Sequence, residues 1–218
     1  MTIRVVLVDD HPVVRDGLRF ALERSGHGIE VVGEAGDGQV LLELAPLTRA
    51  DVYVVDVTMP LLNGIEATRA LLQQDPSARV IMLSLHNSDA VVGEALRAGA
   101  KGFLTKETAT RHVVDAIHEV HQGRCYLSPD IASYMVREFL GSSARDKLRG
   151  TPSQQLTPRE TRILQLIAES HTGKEIAAIL EISPNTVHKH RTNLMAKLGI
   201  NDQVGLARYA IREGIAKP

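Results

Sequence analysis

Five short apolar runs recur through the first 125 residues of the chain: Ile3–Val8, Ile29–Val32, Val52–Val57, Val80–Leu85 and Gly102–Leu104. Several lack the apolar–polar alternation of a half-exposed strand, a pattern that suits strands buried on both faces of a parallel sheet. Between the runs, apolar residues fall at helical spacing: Val14, Leu18 and Leu22; Val91, Ala95 and Ala98; Val113, Ile117 and Val120. Gly26, Gly64 and Gly99 sit where helices should stop or loops turn. Parallel neighbours need a crossover between them, usually a helix. Five βα units in sequence therefore predict a doubly wound α/β sandwich. No internal repeat is evident.

Residues Ser128–Gln155 break this rhythm. Ser128-Pro129 can start a helix over Ile131–Leu140, after which Gly141-Ser142-Ser143 and Gly150-Thr151-Pro152-Ser153 interrupt order. From Leu156 the pattern is helical throughout. Thr157-Pro158-Arg159-Glu160 combines an N-cap, a proline at the first helical position and a capping-box glutamate. Thr172 with Glu175 repeats the box, Ser183-Pro184 repeats the cap and proline, and Asn201 or Asp202 can cap a fourth helix reaching Ile215. The 218 residues thus divide, on this reading, into an α/β domain over 1–122, a helix and flexible linker over 123–155, and a four-helix domain over 156–218.

Charge follows the same division. From Thr151 onward nine Lys/Arg face six Asp/Glu, a net +3, while the preceding part has sixteen against twenty, a net −4. A mildly basic tail on an acidic body predicts two parts with different partners. No apolar run approaches the ~18–20 residues needed to span a bilayer. Met1-Thr2-Ile3-Arg4 runs straight into a strand-like segment, so no signal peptide and a cytoplasmic location are expected. The one cysteine, Cys125, cannot form an internal disulfide or a cysteine-based zinc site, and reads as an incidental thiol.

Ligands of open α/β sheets bind at the carboxyl ends of the strands. Asp9 and Asp10 end the first strand and Asp56 the third, and in the flavodoxin-like order 2-1-3-4-5 these strands are neighbours. Two carboxylates ~5 Å apart repel by about 3 kcal/mol at an effective dielectric near 20. Such a cluster needs a cation or protons, and hard oxygen donors in a small site suit Mg²⁺, which accepts a phosphate as a further ligand. Lys106, ending strand five, can pair with a phosphoryl oxygen, and Ser84, ending strand four, offers a hydroxyl to the same place. An in-line attack by a carboxylate oxygen is sufficient chemistry for phosphoryl transfer there. Taken singly, Asp9-Asp10 could cap a helix near Pro12, and Ser84 or Lys106 could be ordinary loop residues. Their joint placement at four strand ends is hard to obtain by chance.

Val8-Asp9-Asp10-His11, Val55-Asp56-Val57-Thr58-Met59-Pro60 with Gly64, Leu83-Ser84, and Lys101-Gly102-Phe103-Leu104-Thr105-Lys106 together resemble the receiver domain of two-component response regulators. The resemblance covers residues 1 to about 122. It implies Asp56 as phosphoacceptor, Asp10 as direct Mg²⁺ ligand, Asp9 assisting through water, and the Thr58 backbone carbonyl completing the protein ligands. It also implies that Ser84 and Phe103 form the hydroxyl–aromatic switch pair that rearranges when a phosphoryl group arrives.

In the tail, residues 173–192 read as two helices joined by a Glu181-Ile182-Ser183 turn. Ile176, Ala177 and Leu180 share the inner face of the first, and Val187, Leu194 and Leu198 form one stripe on the second. The opposite face carries His188, Lys189, Thr192, Asn193 and Ala196, with no acidic residue. That face suits a helix laid in the DNA major groove, with Lys189, Thr192 and Asn193 able to reach base edges and Ser183 or Thr186 able to hold phosphates. An amphipathic helix with a solvated polar face is the competing reading. His190 reads as a packed structural residue, and Arg191 lies where its stem packs while its head reaches a phosphate.

Leu156-Thr157-Pro158-Arg159-Glu160, Lys174-Glu175-Ile176-Ala177, Ser183-Pro184-Asn185-Thr186-Val187, His190 and Lys197-Leu198-Gly199 resemble the LuxR-type DNA-binding domain over about 152–218. Receiver plus LuxR-type tail is the arrangement of the NarL/FixJ response regulators. That resemblance implies a sensor histidine kinase as phosphoryl donor, a homodimer on two half-sites of double-stranded DNA with the last helix (about Gln203–Ile215) at the dimer contact, and RNA polymerase as a candidate partner. Two rivals stand beside it. Val54-Val55-Asp56-Val57-Thr58 superficially resembles the nucleophile strand of haloacid-dehalogenase-type phosphatases, but Thr58 occupies the place of their second aspartate. The chain could also be a phospho-regulated module whose tail binds protein.

Overall fold

The computed structural model describes residues 2–85, 89–133, 135 and 156–217. The chain divides into two compact units, 1–149 and 150–218, each described by itself below.

In the first unit five βα pairs follow in order: β1 (Ile3–Val8), α1 (Pro12–Arg24), β2 (Ile29–Ala35), α2 (Gly38–Thr48), β3 (Val52–Asp56), α3 (Gly64–Gln74), β4 (Val80–Ser84), α4 (Asp89–Arg97), β5 (Gly102–Thr105) and α5 (Ala109–His121). The strands pair in parallel in the expected order, β2-β1-β3-β4-β5. The continuous apolar runs have a direct explanation in the packing. Along β1, Ile3, Val5 and Leu7 enter one core while Val6 and Val8 enter the other, and β3 splits likewise into Val52 and Val54 against Tyr53 and Val55. Successive side chains point to opposite faces, and both faces are covered, so every residue of β3 and every residue of β1 except Arg4 is buried.

One feature departs from the expected five strands. A short β6 (Tyr126–Leu127) adds to the free edge of β5, in register Gly102↔Tyr126 and Phe103↔Leu127. Two residues are too few to show a period, so pattern reading passes over such a strand. Residues 129–133 and 135 are helical. The rest of the helix expected over Ile131–Leu140, and the linker stretches Gly141–Ser143 and Gly150–Ser153, lie outside the described residues.

Helix starts are set by side-chain caps that satisfy free backbone N–H groups. Asp37 accepts from Gln39 N and Val40 N at the start of α2, and Asn63 accepts from Glu66 N at the start of α3. Gly64 is required for a different reason. A Cβ on it would fall 1.9 Å from the Asp56 carbonyl oxygen, and that oxygen belongs to a buried strand end that cannot retreat. Gly64→Ala is therefore expected to cost the first unit upward of about 3 kcal/mol, read as a lower urea midpoint, and to displace the tip of β3.

The second unit has four helices: α6 (Pro158–Ala168), α7 (Gly173–Ile179), α8 (Pro184–Leu198) and α9 (Gln203–Arg212). Both capping boxes form, Thr157 with Glu160 and Thr172 with Glu175. Ser183 caps α8, and of the two candidates before α9 it is Asp202 that caps, accepting from Gly205 N. The last helix stops at Arg212 rather than Ile215, because Gly214 takes a left-handed conformation, φ +68°. Ile163, Leu164, Leu166, Ile176, Val187, Leu194 and Leu206 form the shared core. Among the described residues no helix is long and apolar enough to cross a membrane.

Glu160 ties two of these helices together: it closes the box on Thr157 and accepts Lys197 Nζ at 2.8 Å. Burial pushes its carboxyl up, but Lys197 and Thr157 outweigh that and hold it below the usual range. A depressed carboxylate stabilises the fold fully above its unfolded pKa, about 4.3, and progressively less as pH falls through the folded value. Glu160→Gln is accordingly expected to lose about 1–2 kcal/mol near neutral pH. The gap from wild type should narrow below pH 4 in a chemical denaturation series.

Candidate functional site

The parallel sheet carries its acidic residues to one edge. β1 ends at Val8, so Asp9 and Asp10 open the loop to α1, and Asp56 is the last residue of β3 beside it. Asp9 and Asp56 are buried, and Asp10 sits at the mouth, its side chain one-fifth exposed. Lys106, one residue past β5, brings Nζ to 2.6 Å from Asp9 Oδ2 and 2.7 Å from Asp56 Oδ2. Burial alone would lower the Lys106 ammonium. Asp56 and Asp9 outweigh it and hold the lysine above its ordinary range. It is a fixed positive charge.

Asp9, Asp10, His11 and Asp56 each offer a donor atom within 4.8 Å of the others. Three carboxylates against one ammonium leave the pocket two negative charges in excess, and two of the three are shielded from water. That donor set fits a hard divalent cation held by oxygen. Around it, Thr58 N donates to Asp56 Oδ1 at 3.3 Å, and Lys106 N donates to the Ser84 carbonyl at 2.8 Å, which fixes the ends of β4 and β5 together. Ser84 is buried at that end. Phe103 lies three residues back from Lys106 along β5, fully buried in the core that also holds Val91 and Val92.

Sequence reasoning passed over two neighbours of this site. His11 Nδ1 lies 2.9 Å from Asp10 Oδ1 and 3.2 Å from Asp9 Oδ1. Its place directly after the acidic pair was the available signal. Arg15, one turn into α1, donates to the Asp9 carbonyl and, through Nε, to Glu34 Oε2 at 3.1 Å. It braces the β1–α1 loop, and nothing in the local sequence announces a contact that spans from α1 to β2.

On the tail, α8 presents the face expected of it. Val187 and Leu194 are buried and Leu198 half-buried, whereas His188, Lys189, Thr192, Asn193 and Ala196 are exposed. His190 and Arg191 are half-buried. Ser183 Oγ accepts Thr186 N at 3.1 Å and pairs with Thr186 Oγ1 at 2.8 Å, so one of the two hydroxyl hydrogens stays available to an outside acceptor. A concavity of about 430 Å³ separates the start of α7 from the first half of α8 and is lined by Lys174, His188 and Arg191 among others. Arg191 Nε is buried with no hydrogen-bond partner among the described residues. Lys174 joins the basic surface only through folding, since it lies on the preceding helix.

Residues 5–118 match the family model described as response regulator receiver domain, and 154–210 match that of bacterial regulatory proteins of the luxR family. The chain is 40% identical over 213 residues to the transcriptional regulatory protein MctR of Rhizobium johnstonii, covering 98% of this chain and 95% of that protein. The chain belongs to the LuxR-type response regulators. Against the transcriptional regulatory protein UhpA of Escherichia coli K12, this response regulator is 41% identical over 207 residues, covering 94% and 96% of the two chains. A solved structure of the response regulator RcsB with DNA is similar at a TM-score of 0.59 and 26% identity, covering 96% of this chain and 98% of that one. The protein is thus a DNA-binding response regulator and a transcription factor, not a turnover phosphatase.

Proposed function

We propose that this response regulator takes a phosphoryl group on Asp56 from a sensor histidine kinase, with Mg²⁺ in the acidic pocket, and that the modification strengthens DNA binding by the tail as a dimer. The observation that carries the reading is the pairing of buried Asp56 with buried Lys106 at 2.7 Å beside two further carboxylates. Asp10, Asp56 and the Thr58 carbonyl would hold the ion, with Asp9 assisting through water. When bound, the ion supplies charge neutralisation on the transferring phosphoryl oxygens. A carboxylate oxygen of Asp56 attacks phosphorus in line; the bond to the donor breaks as the acyl phosphate forms. Lys106 then exchanges its contact with the Asp56 carboxylate for a phosphoryl oxygen, and the Ser84 hydroxyl donates to another. Phe103 responds as the second member of the switch pair.

In this reading residues 1–122 are the receiver, 123–155 the connecting segment and 156–218 the DNA-binding domain. On the tail, Lys189, Thr192, Asn193 and His188 face bases, while Ser183, Thr186 and Arg191 face phosphates. A modification acts only through its different interaction energy with the resting and active states. Moving such an equilibrium from 1:99 to 99:1 needs ~5.5 kcal/mol, so partial activation is the expected behaviour. Selection of bound sequences from a random duplex pool, with and without beryllofluoride and Mg²⁺, tests the whole reading. The expected result is a two-half-site motif enriched more strongly with the mimic. Recovery of no motif under either condition would contradict it.

A further inference from the structure

β5 has two edges and both are occupied. One pairs with β4, whose end is tied to Lys106 through the Ser84 carbonyl. The other carries the chain on its way out of the receiver: Tyr126 N donates to Lys101 O at 2.9 Å and Ser128 N to Phe103 O at 3.0 Å. The following turn is fastened too. Ala132 N donates to Ser128 O at 2.9 Å, and Ser128 is fully buried with an Oγ that has no partner among the described residues. Ile131 is fully buried in the same core as Phe103, Val91 and Val92, and Leu127 and Met135 pack against that core.

The exit segment therefore hangs on the strand that carries the switch aromatic, three residues from the lysine that holds Asp56. At ~3.3 Å per residue that is a lever arm of about 10 Å along one strand. A hydroxyl buried without a partner costs free energy, which argues that residues 128–131 are held where they are by their neighbours rather than by their own preference. We propose that residues 126–133 are the receiver's output lever: they report the position of β5 to the chain that follows, so that phosphorylation changes the tail through this segment. The proposal rests on the phosphorylation reading above, and extends it to the route by which the signal leaves.

The route predicts motion at named amides. In full-length protein, beryllofluoride with Mg²⁺ should change hydrogen exchange at the Tyr126, Ser128 and Ala132 amides by about tenfold. Ile131→Ala should still bind beryllofluoride, seen by fluorine NMR, yet lose most of the gain in DNA affinity, a gain expected within about 5–150-fold for wild type. If wild-type DNA affinity responds while those three amides exchange unchanged, the lever is wrong and the phosphorylation reading stands. Should Ile131→Ala bind the mimic and retain the full gain, the lever is likewise overturned. If wild type binds no mimic, the fault lies with the phosphoacceptor assignment instead. The amide measurement needs no variant, so it decides even if Ile131→Ala fails to fold.

Discussion

Asp56→Asn is expected to take up no stable phosphoryl group from radiolabelled acetyl phosphate and Mg²⁺, against near-stoichiometric labelling of wild type. The amide has nearly the shape of the carboxylate but neither its charge nor its nucleophilic oxygen, and no acyl phosphate can form on it. Its neighbours make the loss specific. Lys106 keeps Asp9 as a partner at 2.6 Å after Asp56 is neutralised, so the buried ammonium is not stranded. The full 3–5 kcal/mol of a broken buried pair is thus not expected. One carboxylate fewer also relieves the repulsion within the cluster. The variant should fold with a denaturation midpoint near that of wild type, and labelling should drop by about two orders of magnitude or more. Labelling equal to wild type would remove Asp56 from the mechanism.

The second large effect concerns α8. Lys189 is exposed on a face without a single acidic residue, and Val187 and Leu194 anchor the opposite side of the helix in the core. Lys189→Ala removes a charge without disturbing that anchor, so the isolated fold should be unaffected. Binding to the selected duplex should weaken by about 1–3 kcal/mol. The salt dependence then separates two roles. A phosphate contact lowers the slope of log K against log salt by about one and weakens all sequences alike. A base contact leaves most of the slope and relaxes preference at one position. Thr192→Ala should act in the second manner and more mildly, because Thr192 Oγ1 donates back to the His188 carbonyl at 3.2 Å and gains less from an outside partner. Unchanged affinity in both variants would favour the solvated-face reading of this helix.

Much of this molecule is legible from residues alone. The order of strands, the convergence of Asp9, Asp10, Asp56 and Lys106, and the first three helix caps of the tail follow from local pattern, because each rests on spacing within one element or on a topology with few alternatives; the choice of Asp202 over Asn201 does not. What escapes is what depends on a single tertiary contact. β6 is two residues long and exists because β5 offers a free edge. Arg15 reaches the Asp9 carbonyl, and Lys174 joins the α8 surface, only once separate elements have packed. Gly64 could be read as a loop glycine, but its necessity comes from the carbonyl of Asp56 pressed against it.

The most direct measurement is fluorescence anisotropy of a labelled duplex carrying the selected motif, titrated with full-length wild type and Asp56→Asn in Mg²⁺, each with and without beryllofluoride. Affinity is expected to rise about tenfold with the mimic in wild type and not to change in the variant. Equal tightening of both proteins, or none in either, would contradict the claim that chemistry at Asp56 governs the grip on DNA.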